Sequence, residues 1–540
     1  MGEGPVNTGT AEHTGAPADV QAWRPRHNPW LVALTVSMAT FMEVLDTSIA
    51  NVALPHIAGN LSASTDEATW VLTSYLVSNA IVLPLSAWIS HAVGRKRFYM
   101  TCVALFTLSS ALCGMAPTLS ALVALRVLQG AGGGGLQPSE QAILADTFVP
   151  SQRGMAFALY GIAVVSAPAL GPTLGGWITD NYSWRWIFYI NVPVGVLSLF
   201  MTHHFVEDPP YERGRGFAAQ GGIDYLGLGL IALGLGCLQI VLDKGQEDDW
   251  FASNFITTLS ILAAIGLIGT LVWEWRYKNP IVNLRMFTRR NFATTFALMF
   301  MLGVVLLGST VLIPIFLQTL MGYTAKDSGL ALTWGALAIM ALMPVVGPLT
   351  TKVQAKWLIA IGLLVGAYGL HRMAGWTPQV DFWTVAGDRV IQGAGLAFLF
   401  APINTAAYLG VPMEQNNQVS SLLNVARNVG GSIGISTVTT FTARRAQWHQ
   451  NVLVGHLTPF DEAYRNTLAS LRDTLQPAGS STVTATGRAV RVLYRAVVRQ
   501  ANVLATLDAF RMMSVLFLAT LPLLLLLQRY NPRAIGRPAH

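Results

Sequence analysis

The chain has 540 residues, of which 52% are apolar and 11% charged, and its mean hydropathy is +0.47. Soluble domains usually carry about 25% charged residues, so this composition excludes a large soluble enzyme. The net charge of +7 would suit nucleic-acid binding, but basic residues in membrane proteins more often hold cytoplasmic loops inside. The three cysteines lie in apolar stretches, which argues against a disulfide framework and a zinc site. We expect no metal and no cofactor.

Hydropathy predicts fourteen membrane-spanning helices, arranged as six, two and six. Each needs about 20 mostly apolar residues to cross a bilayer. The predicted segments are a cytoplasmic tail (1–29), an N-terminal six-helix bundle (30–206), a linker with an inserted helix pair (207–275), five helices of a C-terminal bundle (276–441), an extracytoplasmic segment (442–507), the last spanning helix (508–528) and a cytoplasmic tail (529–540).

The positions of lysine and arginine test this topology independently of hydropathy. If the N-terminus is cytoplasmic, the cytoplasmic segments hold 18 of the 34 basic residues, and the short loops on the other side hold four. The others lie within helices or in and beside the long segment before the last helix. Because loops rich in lysine and arginine stay in the cytoplasm, both termini are predicted to be cytoplasmic. The positive charge then reflects orientation, and we expect no nucleic-acid partner.

A short internal repeat supports the division into two halves. RVLQGAG (126–132) and RVIQGAG (389–395) are identical at six of seven positions and are 263 residues apart. Each lies in the fourth helix of its own six-helix block. The repeat therefore predicts two related halves separated by an inserted helix pair.

The segment 442–507 contains no apolar run long enough to span a membrane. Within it, residues 489–504 place Arg491, Arg495 and Arg499 at a spacing of four, opposite an apolar face. This pattern predicts an amphipathic helix that runs into the last spanning helix. The segment is either a solvated cap over the extracytoplasmic opening or a docking surface for another protein.

Ionisable side chains inside a bilayer are costly, so each is a candidate functional residue. The first helix places Glu43 and Asp46 about one turn apart on one face, and Arg126 lies at a similar depth in the fourth helix. The proton affinity of a buried carboxylate depends on a neighbouring arginine. Asp46 is therefore a candidate for proton exchange as its pairing with Arg126 changes. A permanent ion pair that only fixes helix packing is the alternative.

The fourth helix continues as QGAGGGGLQPSEQAIL (129–144). No Lys-Ser or Lys-Thr follows these glycines, so they do not form a phosphate-binding loop; small residues here favour close helix approach or flexing. Glu140 is expected to line the central cavity, with a solvated helix end as the alternative.

The fifth helix contains two prolines and three glycines within APALGPTLGGW (167–177). Proline interrupts the helical hydrogen bonds, and glycine permits bending and tight packing. This pattern indicates either a hinge or a rigid packing kink.

Seven stretches together carry a specific resemblance that extends from about residue 30 to 530. They are LDTSIANVALP (45–55), GRKRF (94–98), RVLQG (126–130), ALGPTLGG (169–176), WRWIFYINVPVG (184–195), IDYLGLGLIALGLGCLQIVLDKGQ (223–246) and SSLLNVARNVGGSIGIS (420–436). On these motifs the chain resembles the 14-spanner drug:proton antiporter family of the major facilitator superfamily, close to the EmrB-type inner-membrane subunits of tripartite multidrug pumps.

The resemblance implies an all-α membrane protein with the major facilitator fold and proton-driven export by alternating access. The coupling acid and arginine of the family match Asp46 and Arg126, and we add Glu43 as a third coupling candidate. The substrate cavity is expected between the two halves. Its candidate contacts are Glu140, Asn51 and Gln129.

Two family motifs are associated with conformational change. Residues here that match them or accompany them are Gly94, Arg95, Lys96, Pro168, Gly171, Pro172, Gly175 and Gly176. The loop motif departs from its usual form, since Ala87 and His91 replace glycine and aspartate. This departure puts in doubt the charge pairing between the loop and a helix that the family uses.

The resulting prediction is an exporter of amphipathic, hydrophobic or cationic small molecules in exchange for protons. An exporter of one metabolite, such as a fatty acid, siderophore or antibiotic, is the alternative within transport. A membrane-embedded enzyme is disfavoured because the chain lacks a Ser/His pair or an HExxH motif suited to catalysis in the bilayer. By resemblance only, a periplasmic adaptor and an outer-membrane channel are implied as partners.

Overall fold

The computed structural model describes residues 25–210, 216, 222–475 and 482–528, and these residues form helices and connecting turns without a strand. The predicted tails 1–29 and 529–540 therefore lie largely or wholly outside the described residues. The all-α class is confirmed for the described part of the chain.

Six long helices form the first half, and two more follow it. They are α1 (Pro29–Asn60), α2 (Trp70–Val93), α3 (Arg95–Met115), α4 (Leu119–Gly133, continuing as Leu136–Thr147), α5 (Arg153–Asn181), α6 (Asn191–Phe205), α7 (Tyr225–Lys244) and α8 (Asn254–Arg276). Short helical turns lie at Thr65–Ala68, Trp186–Tyr189 and Trp250–Ala252.

The remaining long helices build the second half and the segment before its last helix. They are α9 (Arg290–Ile315, continuing as a π-turn over Phe316–Leu320), α10 (Ala325–Leu349), α11 (Ala355–Met373), α12 (Phe382–Ala407), α13 (Asn416–Gly455), α14 (Glu462–Leu475) and α15 (Thr482–Ala519). Short 3₁₀ turns lie at Leu284–Thr288, Met413–Gln415 and Leu521–Leu526.

Polar capping residues mark where several of these helices begin. The side chains of Asn28, Thr118, Asp224, Thr324 and Asp381 each accept a hydrogen bond from a backbone N–H in the first turn of the helix that follows. Such caps satisfy donors that have no partner within the helix. In a membrane protein they also define the ends of apolar segments, because unpaired backbone groups are not tolerated in lipid.

Eleven of these helices are long and apolar enough to cross a membrane, or twelve if the bent α5 counts as one span. The sequence predicted fourteen spans. The structure confirms an all-helical protein with many membrane-spanning helices, and eleven or twelve of them meet the criteria of length and apolarity. The two further helices at predicted spans are α11 and α13. α13 is rich in polar residues such as Asn416, Asn417 and Ser420, which are buried against other helices. Hydropathy alone therefore underestimates how much of α13 is buried in the bundle.

The two halves repeat the same helix arrangement. α4 and α12 begin 263 residues apart, at Leu119 and Phe382, and so do α5 and α13, at Arg153 and Asn416. In the first half, α1 packs on α5, and both α2 and α3 pack on α4; in the second half, α9 packs on α13, and both α10 and α11 pack on α12. The spacing of the repeated motif thus extends to whole helices.

Four helix pairs join the halves: α5 packs against α10 and α12, and α13 packs against α2 and the second part of α4. The inserted helices α7 and α8 pack on each other, and α7 contacts both α2 and α13. The inserted pair therefore lies beside one of the two seams between the halves.

The segment between the thirteenth and last predicted spans is largely helical. α13 continues to Gly455. α15 contains the predicted amphipathic stretch 489–504 and the first part of the predicted last span 508–528, which continues in the 3₁₀ turn Leu521–Leu526. Arg499 donates two hydrogen bonds to the backbone oxygen of Leu320, with N–O distances of 2.7 and 3.1 Å. α14 has no buried residue. The amphipathic stretch thus packs on the bundle, whereas α14 lies on the surface.

Candidate functional site

A cavity of about 430 Å³ lies between the two halves. Residues from α1, α2, α4 and α5 line one side, and residues from α9, α10, α12 and α13 line the other. The inserted helix α7 adds Gln239 and Asp243 to the wall. The charged residues in the wall are Glu43, Arg126, Asp243, Arg389 and Arg427. Asn51, which the sequence predicts to contact the substrate, is one of the residues that line this cavity.

Asp46 and Arg126 form a buried ion pair, with Arg126 Nη1 2.5 Å from Asp46 Oδ2. Arg126 Nη1 also donates to Gln129 Oε1 at 2.8 Å, and Gln129 Nε2 donates to Asp46 Oδ1 at 3.0 Å. The relative exposure of Asp46 is 2%, and that of Arg126 and Gln129 is 0%. Breaking such a pair leaves an uncompensated buried charge, so the protonation state of Asp46 bears directly on Arg126.

Other helices hold this ion pair in place through residues that the sequence analysis did not identify. Asn191 of α6 donates to Asp46 Oδ1 at 2.7 Å. Arg126 Nε donates to the backbone oxygen of Val71, and its guanidinium lies 4.3 Å from the ring centroid of Tyr75. Asn191 is a polar residue within the apolar stretch WRWIFYINVPVG, which is the sequence signal that would have identified it.

Glu43 lies in a separate hydrogen-bond network on the cavity wall. Tyr75 donates to it at 3.1 Å and Asn79 at 3.3 Å, and Gln137 Nε2 donates to its other oxygen. Glu43 thus does not share hydrogen bonds with Asp46, its predicted neighbour in proton coupling. Both carboxylates lie on α1, but they are held by different residues.

The Glu43 network extends into the second half through Arg427 of α13. Arg427 donates to Gln137 Oε1, which thereby joins Arg427 to Glu43. It also donates to the Tyr160 hydroxyl at 2.9 Å and to Asn424 Oδ1 at 2.8 Å. A change in the charge of Glu43 would therefore be transmitted to a contact between the two halves.

Two of the predicted cavity residues do not line the cavity, and this corrects the sequence-based expectation. Gln129 is fully buried beside Asp46 and Arg126. Glu140 is also fully buried and accepts a hydrogen bond from Ser37 at 2.6 Å. The second part of α4 is almost entirely packed against other helices. Glu140 therefore faces neighbouring helices, whereas Gln137, three residues earlier, lines the cavity.

The loop between α2 and α3 makes an ion pair with a helix through Arg95, a residue that keeps the family motif. Gly94 has a φ of 93°, a conformation that favours glycine, and Arg95 follows it. Arg95 forms a buried ion pair with Asp146 at the end of α4. Asp146 also accepts a hydrogen bond from Asn416 of the second half at 2.6 Å. The sequence analysis did not identify Asp146.

Lys96 fixes the other side of the same loop. Its backbone N–H donates to Asp208 at 2.7 Å, and its ammonium donates to the backbone oxygen of His203 at 2.7 Å. The end of α6 and the start of the linker are therefore tied to the loop motif.

The glycines of α5 allow it to approach α1 closely. A Cβ atom at Gly171 would lie 2.2 Å from Ser48 Oγ, and one at Gly175 would lie 3.0 Å from a methyl group of Ile49. Gly176 faces open space. Two of the three motif glycines are therefore explained by packing.

The prolines of α5 accompany a bend. The axes of Arg153–Pro168 and Leu170–Asn181 differ by 42°. Pro168 lies in the cavity wall, and its backbone oxygen accepts a hydrogen bond from Ser48 at 3.2 Å. Pro172 follows in the second part of the helix. A movement of α5 at this bend would change the shape of the cavity.

The chain matches the family model described as Major Facilitator Superfamily over residues 36–435. The multidrug export protein EmrB of Haemophilus influenzae is 39% identical over 432 residues, covering 80% of this chain and 84% of that protein. The fatty acid resistance protein FarB of Neisseria gonorrhoeae is 36% identical over 493 residues, covering 91% of this chain and 94% of that protein.

Among solved structures, the human organic anion transporter MFSD10 superposes with a TM-score of 0.57 and 13% sequence identity, covering 92% of this chain and 100% of that chain. This likeness concerns the fold alone. The family match makes the chain a transporter and not an enzyme. The chain belongs to the major facilitator superfamily and, within it, to the EmrB-type transporters.

Proposed function

We propose that the protein is a proton-coupled antiporter that exports amphipathic drugs or other toxic small molecules by alternating access. It is a multi-pass protein of the inner membrane. The names of its relatives, multidrug export proteins at 36–39% identity, support drug efflux as the transport activity.

The observation that carries the proton coupling is the buried Asp46–Arg126 pair at the cavity. Arg126 both lines the cavity and binds Asp46. Protonation of Asp46 removes the charge that holds the guanidinium, which is then available to other groups in the cavity. Because low-polarity surroundings strengthen charge interactions, a single proton suffices to change the preferred partner of Arg126.

Alternating access requires contacts between the halves that can form and break. Polar contacts of this kind include the hydrogen bond from Asn416 to Asp146 and the one from Ser421 to the backbone oxygen of Leu83, at 2.6 and 2.9 Å. The Asn416–Asp146 contact adjoins Arg95 of the loop between α2 and α3, which is predicted to be cytoplasmic, and the Ser421 contact lies five residues further along α13. In the proposed cycle these contacts close the cytoplasmic side while the cavity releases substrate on the opposite side.

Replacing Asp46 with asparagine tests the coupling. Asp46→Asn keeps the size of the side chain but removes its titratable charge. We expect purified Asp46→Asn in proteoliposomes to lose proton-gradient-driven ethidium transport while still binding ethidium and eluting as a folded monodisperse protein. Asp248→Asn, at an exposed loop position, is the matched control and should transport like the wild type. Transport by Asp46→Asn at the wild-type rate would refute proton coupling through this residue.

Export of one specific metabolite is the second candidate function, and the similarity to FarB favours a fatty acid as that metabolite. The two candidate functions differ in the range of compounds that the protein would export. A panel of toxic compounds and long-chain fatty acids, tested on cells with and without the protein and with and without an uncoupler, separates them. Protection against many unrelated compounds supports multidrug export, and protection against fatty acids alone supports the metabolite exporter.

Fourteen spans with both termini in the cytoplasm are part of this proposal. Counting the bent α5 together with α11 and α13 as spans, in addition to the eleven apolar helices, gives that number. The distribution of lysine and arginine supports the orientation.

A periplasmic adaptor and an outer-membrane channel are also proposed as partners. The segment between α13 and α15 supports this, because it is much longer than a connection requires and its α14 has no buried residue.

A further inference from the structure

The repeated motif places a second arginine and glutamine at the cavity, in the second half. At the offset of 263 residues, Arg126 and Gln129 correspond to Arg389 and Gln392, and Asp46 corresponds to Ser309. Ser309 lies on α9, the counterpart of α1. The acidic member of the first set is thus a neutral hydroxyl in the second.

The side chains repeat the geometry as well as the spacing. Gln392 Nε2 donates to Ser309 Oγ at 2.9 Å, where Gln129 Nε2 donates to Asp46 Oδ1 at 3.0 Å. Arg389 donates to Gln392 Oε1, as Arg126 donates to Gln129. The two sites therefore differ chiefly in the missing carboxylate.

Arg389 is left as a buried guanidinium with no ion-pair partner among the described residues. Its relative exposure is 7%, it lies in the cavity wall, and its Nε has no hydrogen-bond partner in the described part of the chain. The adjacent Asp388 is bound elsewhere, by Arg372 at 2.6 Å and by Trp376 at 2.9 Å. An uncompensated buried charge is strongly unfavourable, so an anion from the cavity is a favourable partner.

Arg427, the other arginine that the second half contributes to the cavity wall, shows how neutral side chains can supply hydrogen-bond acceptors to a buried guanidinium. Among the described residues, Arg427 also has no carboxylate within ion-pair distance, but it donates to Tyr160, Gln137 and Asn424. Arg389 has one side-chain acceptor among the described residues, Gln392. Of these two arginines of the second half, Arg389 therefore has the greater free capacity for hydrogen bonding to a ligand.

We propose that Arg389 is a binding residue for the anionic headgroup, such as a carboxylate, of amphipathic substrates. Leu306, Leu307, Leu332 and Ala336, on the neighbouring α9 and α10, line the same cavity and would contact the apolar part of the substrate. An arginine binds a carboxylate through two parallel hydrogen bonds. This inference rests on the proposed export function, because it names a substrate class for the same cavity.

A pair of fluorescent probes that differ at the headgroup, one an anionic carboxylate and the other its neutral methyl ester, tests the role of Arg389. The probes are dansyl-aminoundecanoate and its methyl ester, and their binding to the purified full-length protein is followed by dansyl fluorescence. We expect the wild type to bind the carboxylate more tightly than the ester. Arg389→Gln should weaken carboxylate binding by about tenfold, because it removes the charged donor that pairs with the carboxylate. Binding of the ester should not change, which shows that the variant is folded.

A second variant tests the same idea by restoring the missing acid. Ser309→Asp gives the second half the carboxylate that Asp46 provides in the first, and it should pair with Arg389. We expect it to weaken binding of the carboxylate probe about as much as Arg389→Gln does, again about tenfold. Arg276→Gln, which removes an exposed arginine on α8, is the matched control and should bind both probes like the wild type.

Three results would overturn the proposal. They are equal binding of the two probes by the wild type, wild-type binding of the carboxylate by both site variants, and displacement of the probe by phosphatidylglycerol but not by laurate, which would assign the site to a lipid. None of these requires a proton gradient. If the wild type binds both probes but does not transport ethidium under a proton gradient, the proposed antiport fails while the assignment of Arg389 is still decided by the binding data.

Discussion

The ion pair between Arg95 and Asp146 shows how single residues hold one end of the molecule closed. Both side chains are almost completely buried, and Asp146 also accepts a hydrogen bond from Asn416 of the other half. One carboxylate thus connects the loop after α2, the end of α4 and the start of α13. Removing it affects all three elements at once.

We predict that Asp146→Asn opens this end of the protein and lowers its stability. Loss of one partner from a buried ion pair costs about 3–5 kcal/mol, because the remaining charge is no longer compensated. The measurements are the apparent unfolding temperature and the rate of maleimide labelling of Ser421→Cys, a position that is 2% exposed. A Cys237→Ser background removes the half-buried native thiol.

The double variant Arg95→Gln/Asp146→Asn is the control for this prediction. Because it removes both charges, it should recover part of the stability that Asp146→Asn loses. An unfolding temperature and a labelling rate equal to those of the wild type in Asp146→Asn alone would show that the ion pair does not hold this end closed.

At the scale of elements, the inserted helices α7 and α8 form a pair of backbones in direct contact. A Cβ atom at Gly234 would lie 2.8 Å from the backbone nitrogen of Leu267, and one at Gly266 would lie 2.4 Å from the backbone nitrogen of Gly234. Small residues permit such close crossings between helices in membranes. Since α7 also contributes Gln239 and Asp243 to the cavity wall, the position of the pair affects the substrate site.

We predict that Gly234→Val separates the two inserted helices. The added methyl groups have no space at the crossing, and overpacking of this kind costs about 1–3 kcal/mol. The apparent unfolding temperature of the purified protein should fall, and ethidium binding should weaken because α7 shifts in the cavity wall. Gly229→Val on the same helix faces open space and serves as the control; equal behaviour of the two variants would argue against the crossing as the cause.

At the scale of the whole molecule, the protein consists of two related halves, an inserted pair at one seam and an additional segment before the last helix. The amphipathic part of that segment packs on the bundle through Arg499. Asp508 of α15 binds Arg445 and His449 of α13 at 2.5 and 2.9 Å. The Arg499 contact fixes the end of the segment on the bundle, and the Asp508 contacts join its two ends to each other, while α14 remains on the surface.

We predict that α14 is needed in cells but not for transport itself. Replacement of residues 460–478 by a Gly-Ser linker of equal length keeps α13 and α15 and removes only the exposed helix. Transport of ethidium by the purified variant in proteoliposomes should equal that of the wild type. Drug resistance of cells that carry the variant should fall to the level of cells without the protein. Equal loss in the two assays would identify α14 as a structural cap instead of a docking element.

The amino-acid sequence by itself determined the helical membrane class, the two related halves and the residues of the buried ion pair. These properties depend on local signals, namely apolar runs, the spacing of a repeated motif, and charged residues where lipid excludes them. Asp46 and Arg126 were identifiable for that reason, because a charge within an apolar helix is evident without a fold.

Only the tertiary structure decided which polar groups meet. Asn191, Gln137 and Asp146 lie on different helices from the residues they bind. Helical periodicity shows which residues share one face of a helix, but it does not show which helix packs against that face. For the same reason Glu140 was expected in the cavity but is buried against Ser37. Arg389 likewise has no ion-pair partner among the described residues because Ser309, on a helix about 80 residues earlier in the chain, stands where the first half has Asp46. This relation depends on how α9 packs against α12.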